Sequence, residues 1–253
     1  MRTLAVIPAR LGATRLPRKP LRLLAGLPLV VRVWKRVCGA GVADLVVVAT
    51  DNDEVAAAAR AHGARVELTK PSHPSGTDRV AEVAARPAYT GFDVMLNVQG
   101  DEPFIALDAL RGALQMVATR GFPLGTAAAP ADAAALQNPN AVKVVTSDDG
   151  RALYFSRAAI PYLRDQADSA LLRNQVRVHV GTYAYAREAL ATWVALPPHP
   201  LERIERLEQL RPLAAGMAMG VAGVPAAGRG GIDTEDDLVR ANAEWTTFNQ
   251  EPD

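Results

Sequence analysis

Short apolar runs alternate with helix-period segments through the first hundred residues. Residues 4–7, 45–48 and 94–98 are rich in valine, isoleucine and leucine and lack the polar alternation of a half-exposed strand. Runs of that kind suit strands buried on both faces of a sheet. Residues 65–68 form a weaker strand candidate. Between these runs, residues 29–38 place Val30, Val33, Trp34 and Val37 on one helical face. Residues 54–61 follow a cap candidate at Asp51 or Asn52, and a third helix over 77–85 has Ser75 or Thr77 as its cap. Strand, helix, strand, helix predicts a mainly parallel sheet with right-handed crossovers.

After residue 100 the rhythm changes. Residues 107–118 read as a helix and 125–129 as a strand. Residues 141–146, 152–155 and 177–185 are strand-like with no long helix between them, and Asp148-Asp149-Gly150 suits a hairpin turn. An antiparallel excursion from the main sheet is therefore predicted. Residues 201–214 read as one strong helix, with Ile204, Leu207 and Leu210 at helical spacing, and 217–224 as a last strand. A glycine-rich stretch at 228–231 leads into a C-terminal helix that ends near Thr247. Without repeats, a linker or a low-complexity tail, the expectation is one α/β domain over residues 1–253.

Composition narrows the function classes. The 28 Lys and Arg nearly balance the 27 Asp and Glu, for a net charge of +1. A chain that coats nucleic acid or an anionic membrane carries a basic excess, so neither partner is implied, and any anion site must be local. One cysteine, Cys38, excludes a disulfide framework and a multi-cysteine metal site. His62, His73 and His199 do not share metal-ligand spacing. No apolar run reaches the roughly 18 residues of a membrane span. A soluble cytoplasmic protein is expected.

The local anion site is legible just after the first strand, in Pro8-Ala9-Arg10-Leu11-Gly12-Ala13-Thr14-Arg15-Leu16-Pro17-Arg18-Lys19-Pro20. Four cations fall among small residues and prolines. In an open parallel sheet, ligands bind beyond the carboxyl ends of the strands. Small residues let backbone N–H groups approach an anion, arginine grips phosphate oxygens in pairs and lysine acts as a point charge. The loop reads as a polyphosphate cradle, although neither the P-loop nor the dinucleotide fingerprint is present. Asp101 projects from the end of the 94–98 strand on the same rim. A carboxylate beside phosphates makes sense when a hard cation lies between them, and Mg2+ commonly takes one or two carboxylates plus substrate oxygens. Asp233 precedes Thr234-Glu235-Asp236-Asp237, which has the form of a capping box. From the residues alone, a metal role and a helix-supporting role for Asp233 stand level.

These blocks together resemble the CMP-Kdo synthetases, the 3-deoxy-manno-octulosonate cytidylyltransferases. The likeness starts in Ile7-Pro8-Ala9-Arg10, Thr14-Arg15-Leu16-Pro17 and Lys19-Pro20-Leu21. It continues through His73-Pro74-Ser75-Gly76-Thr77-Asp78-Arg79, Asn97-Val98-Gln99-Gly100-Asp101-Glu102-Pro103, Asn138-Pro139-Asn140-Ala141-Val142-Lys143, Tyr154-Phe155-Ser156-Arg157 and Leu207-Glu208-Gln209-Leu210-Arg211, and ends in Gly231-Ile232-Asp233-Thr234. The blocks are collinear over essentially the whole chain.

The resemblance implies a three-layer, Rossmann-like nucleotide-sugar transferase fold in which residues 138–185 are an inserted subregion for sugar binding and dimerisation. It implies CTP and an acidic 3-deoxy sugar as substrates, CMP-Kdo and pyrophosphate as products for lipopolysaccharide biosynthesis, Mg2+ as cofactor, and a homodimer. Nucleotide binding falls on Ala9, Arg10, Thr14, Arg15, Lys19, Ser75, Gly76, Arg79, Gln99 and Asp101. Metal binding falls on Asp101 and Asp233; with Arg10, Arg15 and Lys19 they form the catalytic set. Sugar binding falls on Gln99, Arg157, His179, Tyr183, Glu208 and Gln209. The sequence departs from the family where Arg18 replaces a usual glycine, so the loop is expected to be bulkier or turned differently, where Ala13 replaces a usual serine, which removes one hydroxyl contact to the nucleotide, and where Tyr162 replaces a typical tryptophan near the sugar pocket. The rival readings are a cytidylyltransferase for 8-amino-Kdo or a sialic acid, a sugar-1-phosphate nucleotidyltransferase, and an inactive binding module on the same fold.

Overall fold

Four consecutive residues of the first strand, Leu4, Ala5, Val6 and Ile7, are fully buried. Side chains alternate across a strand, so this one is covered on both faces. The structure is a computed structural model that describes residues 1–12 and 15–248. Thr14 and Ala13 lie outside the described residues. In chain order the elements are β1 (Thr3–Ala9), β2 (Leu23–Leu24), β3 (Leu27–Pro28), α1 (Leu29–Gly39), β4 (Leu45–Thr50), α2 (Asp53–Ala61), β5 (Arg65–Leu68), α3 (Gly76–Ala84), β6 (Val94–Asn97), α4 (Leu107–Ala118), β7 (Leu124–Pro130), α5 (Ala133–Gln137), β8 (Lys143–Thr146), β9 (Ala152–Ser156), α6 (Ser169–Gln175), β10 (Arg177–Ala186), α7 (Arg187–Ala195), α8 (Pro200–Glu205), α9 (Leu210–Ala214), β11 (Met219–Gly223) and α10 (Glu235–Phe248).

The chain forms two compact units, one of Met1–Leu107 with Gly228–Asp253 and the other of Asp108–Ala227. In the first unit, β1 pairs in parallel with β4 on one side and β6 on the other, and β5 extends β4 in parallel. Val30 and Val31 of α1, and Val55 and Ala59 of α2, share a core with Ala9 and Val48. A second core joins Leu16, Leu24, Leu29 and Phe104 to Leu238 and Ala241 of α10. The predicted caps resolve to one each. Asn52 Oδ1 accepts the Glu54 and Val55 N–H groups at the start of α2, and Ser75 Oγ accepts Asp78 N–H at the start of α3.

The second unit carries the antiparallel excursion. β10 runs antiparallel to β7 and β8, β9 returns antiparallel to β8 through the predicted turn at Gly150, and β11 lies parallel to β7. α4 lies directly on the β7 backbone at Gly125. A Cβ there would stand 2.2 Å from the Ala113 carbonyl oxygen, so only glycine permits the contact.

The 201–214 segment departs from the sequence expectation. It is two short helices, α8 and α9, broken where Arg206 takes a left-handed conformation, φ 54°. Pro212 is the cause: in a continuous helix its ring would clash with the carbonyl of Glu208 and remove one bond of the ladder. Restarting at Leu210 leaves Pro212 in a first turn, where no N–H is needed. Glu202 and Arg211 bridge the break with paired bonds of 2.6 and 2.8 Å. Glu208 and Gln209 accordingly sit in the break, ahead of α9, and not within a helix.

Arg18 settles how the loop accommodates the missing glycine. It adopts the left-handed conformation, φ 57°, that a glycine would favour, and its guanidinium pairs with Glu54. A side chain in that conformation is strained, and an exposed ion pair offsets little. Arg18→Gly is expected to raise the melting temperature by about 2 °C, checked by thermal unfolding; a lowered melting temperature would mean the Glu54 pair outweighs the strain.

Candidate active site

The first unit opens a cleft of roughly 400 Å3 along the carboxyl rim of its sheet. Every described residue of the predicted nucleotide set lines it. Ala9 and Arg10 come from the end of β1, Arg15 and Lys19 from the basic loop, and Ser75, Gly76 and Arg79 from the start of α3. Gln99 and Asp101 come from the turn after β6, and Asp233 lines the same cleft. That turn is pressed onto β1: a Cβ at Gly100 would stand 2.6 Å from the Pro8 carbonyl oxygen, closer than any side chain allows. Glycine here lets Asp101 stand beside the basic loop.

Thr234 Oγ1 accepts Asp237 N–H, while Asp237 Oδ2 accepts the N–H groups of Thr234 and Asp233. The capping box is therefore Thr234 with Asp237. Asp233 directs its carboxylate into the cleft, where Oδ1 accepts from Lys19 Nζ at 2.8 Å and Oδ2 lies 3.1 Å from Arg15 Nη2. Asp101 Oδ2 accepts from the same ammonium at 2.5 Å. Ile232 N–H donates to the Asp101 carbonyl at 2.9 Å and ties the two segments together. One buried ammonium thus joins two carboxylates that lie far apart in the sequence. Burial works against its charge, but Asp101 and Asp233 outweigh it and hold the Lys19 pKa above its ordinary value. Beside them the Glu102 carboxyl is pushed up to about 7, by burial first and then by the Asp101 charge, with Lys19 opposing.

Two carboxylates that share one cation fit a hard divalent ion. Among the described residues, no group of three or more His, Cys, Asp or Glu side chains could hold a metal. Asp101 and Asp233 would therefore need phosphate oxygens and water to complete a shell, which is how Mg2+ is usually held at nucleotides.

The far wall of the cleft holds the predicted Arg79 and, beside it, His73, to which sequence reasoning gave no role. Arg79, 3% exposed, donates to Thr69 Oγ1 and, at 3.1 Å, to Asp51 Oδ2. His73 also lines the cleft, with Nε2 2.5 Å from Glu82 Oε2. Both follow from strand ends and a helix face that meet only in three dimensions. The sequence signal for both residues was the block His73-Pro74-Ser75-Gly76-Thr77-Asp78-Arg79, which showed none of these partners.

In the second unit, the predicted sugar residues fall into two groups. His179 packs edge-on to Phe155, with ring centres 5.1 Å apart, and 5.3 Å from Tyr183. Its Nε2 lies 2.9 Å from Thr126 Oγ1, and desolvation lowers its pKa to about 3, so the imidazole is neutral. β10 is irregular between Val180 and Tyr183, yet the two rings still meet. Arg157 belongs to the other group. It donates to the carbonyls of Glu205 (2.7 Å) and Pro139 (2.9 Å), while Glu205 Oε2 accepts its N–H. Its guanidinium thus covers the carboxyl end of α8, close in sequence to Glu208 and the buried Gln209.

Residues 4–219 match the family described as Cytidylyltransferase. The chain is 65% identical over 249 residues to a 3-deoxy-manno-octulosonate cytidylyltransferase of Gemmatimonas aurantiaca, which covers 98% of this chain and 96% of that protein. It is 45% identical over 248 residues to the protein of the same description from Herminiimonas arsenicoxydans, over 95% and 98% of the two. Among solved structures, a CMP:2-keto-3-deoxy-manno-octonic acid synthetase complexed with CTP superposes with a TM-score of 0.89 at 37% identity, over 98% of this chain and 99% of that one. A 4-diphosphocytidyl-2C-methyl-D-erythritol synthase from Anaerococcus prevotii shares the fold at a TM-score of 0.63 and 13% identity, over 97% and 98%. The α/β architecture and the cleft define a nucleotidyltransferase. The chain belongs to the cytidylyltransferase family, and its full-length relatives carry the 3-deoxy-manno-octulosonate description.

Proposed function

We propose that this chain transfers CMP from CTP to 3-deoxy-D-manno-octulosonate (Kdo), giving CMP-Kdo and pyrophosphate. The observation that carries the reading is the meeting of Arg15, Lys19, Asp101 and Asp233 in a cleft lined by the basic loop. The relatives' shared description and the CTP complex of the structural neighbour support the choice of nucleotide and sugar. The family match spans both compact units, and we read them as one catalytic domain.

In the reaction, the anomeric hydroxyl of the sugar attacks the α-phosphorus of CTP in line. A new P–O bond forms as the hydroxyl releases its proton to solvent, and the bond from the α-phosphorus to the oxygen it shares with the β-phosphate breaks, so that pyrophosphate leaves with the electron pair. Arg10, Arg15 and Lys19 neutralise the triphosphate and the departing pyrophosphate. Ser75, Gly76, Arg79 and Gln99 hold the nucleotide. Asp101 and Asp233 would hold Mg2+, which when bound supplies Lewis acidity that lowers the pKa of the attacking hydroxyl. Catalysis is positioning and electrostatics, with no covalent enzyme intermediate.

Kdo recognition is assigned to Gln99, Arg157, His179, Tyr183, Glu208 and Gln209. The neutral His179 suits a sugar hydroxyl better than a carboxylate. No helix among the described residues is long and apolar enough to cross a membrane. A cytoplasmic homodimer that feeds lipopolysaccharide synthesis completes the reading.

The test is pyrophosphate release with CTP, Mg2+ and a panel of Kdo, 8-amino-Kdo and a sialic acid. Kdo is expected to give the largest kcat/KM, by about tenfold or more over either analogue. Preference for another acid would reassign the sugar. No release with any of these sugars would favour an inactive binding module.

A further inference from the structure

Glu82 lies on α3, on the side facing the turn that joins β5 to that helix, and it has no part in the chemistry described so far. One of its oxygens, Oε2, accepts Lys70 N–H at 2.9 Å and lies 2.5 Å from His73 Nε2. The other, Oε1, accepts from Arg86 Nη2 at 2.8 Å. Arg86 in turn donates to Glu67 and to the Leu68 carbonyl at the end of β5. A carboxylate only accepts, so His73 Nε2 must be the donor, and the imidazole is fixed in orientation. The side chains of both His73 and Glu82 are about four-fifths buried.

The turn pinned in this way is a wall of the cleft: His73, Pro74, Ser75 and Gly76 all line it. A turn of this length with two of its residues bonded to one helix carboxylate has lost most of its freedom before any ligand arrives. Pre-organisation of that kind raises affinity by removing an ordering cost from binding. Burial alone would raise the Glu82 pKa; the Lys70 N–H, His73 and Arg86 outweigh it and bring it to about 2, so the clamp is charged at any pH used for assay.

We propose that Glu82 is a positioning residue for the nucleotide, acting through His73 and the Lys70 N–H to hold the wall formed by His73, Pro74, Ser75 and Gly76 in its binding geometry. The inference rests on the reading of this cleft as the CTP site.

The test is calorimetric titration of CTP with Mg2+ into the full chain, wild type and Glu82→Gln, alongside kcat and KM for both substrates. Glu82→Gln keeps the shape and removes the charge. It is expected to raise Kd and KM for CTP about tenfold, leaving kcat and the KM for the acidic sugar within about twofold. A purely structural role would lower the melting temperature without this split. Because the effect passes through His73, Glu82→Gln combined with His73→Gln is expected to cost no more than His73→Gln alone. A CTP Kd within about twofold of wild type in Glu82→Gln overturns the proposal, as do fully additive losses in the double variant. Failure of the wild-type chain to bind CTP would instead sink the reading of the cleft itself.

Discussion

Asp101→Asn is expected to lower kcat by about a thousandfold or more while shifting the CTP Kd by less than about fivefold. The asymmetry follows from what the carboxylate does. Asparagine preserves the shape of the turn, which depends on Gly100 lying against Pro8 and on the Ile232 N–H bond to the Asp101 carbonyl. The proposed contacts to the nucleotide come from cleft residues of the basic loop and the start of α3, and those side chains remain. What disappears is one of the two charges that would hold Mg2+ where negative charge develops in transfer. Removing a preorganised electrostatic partner typically costs hundreds-fold to thousands-fold in rate, and metal-assisted activation of the hydroxyl adds to that. The measurement is steady-state pyrophosphate release over a magnesium series, with CTP binding followed separately. Near-normal turnover at saturating magnesium would remove Asp101 from a metal role.

The parts of this site visible in the sequence are those written as local chemistry. A valine-rich run followed by small residues and four cations points to an anion site beyond β1, whatever surrounds it, and the strands β1, β4 and β6 emerged from their uninterrupted apolar runs. Caps are equally local, and Asn52 and Ser75 fill two of the predicted positions. What failed was local chemistry read too coarsely. Apolar spacing over residues 201–214 was helical, but Pro212 stood inside the window and broke the helix, and the break is where Glu208 and Gln209 sit. α7 was missed because the residues before it read as strand and nothing marked the switch: its cap position is Ala186, with no side-chain hydrogen bond. The Glu82 clamp and the buried Arg79 with Asp51 and Thr69 depend on β4, β5 and α3 converging, and no spacing in the chain announces them. Arg18 is the opposite case. The missing glycine was legible, but whether the backbone would change or the side chain would tolerate strain was not, and Arg18 takes the left-handed conformation, φ 57°.

Lys19→Met is expected to move two observables in opposite directions. Turnover with CTP and the acidic sugar should fall by about a hundredfold, because the triphosphate loses the buried cation that joins Asp101 to Asp233. The nucleotide-free protein, however, should bind Mn2+, a spectroscopic substitute for Mg2+, about tenfold more tightly than wild type. In the wild-type chain the Lys19 ammonium donates to both Asp101 and Asp233, so a divalent ion entering between the carboxylates must first break two charge-assisted bonds. Each such bond contributes about 1.5–3 kcal/mol. Without the ammonium, two neighbouring carboxylates repel each other and a divalent cation relieves that repulsion directly. Added CTP should shrink the difference between variant and wild type, since a triphosphate offers Lys19 another anionic partner and frees the aspartates. Counting free Mn2+ by electron paramagnetic resonance, with and without CTP, reads both arms. A variant that has merely lost its fold would lose turnover and metal binding together. Unchanged or weaker Mn2+ binding in folded, nucleotide-free Lys19→Met would show that the ammonium does not compete for the aspartate pair, and that metal entry is governed by something other than the exchange of one cation for another.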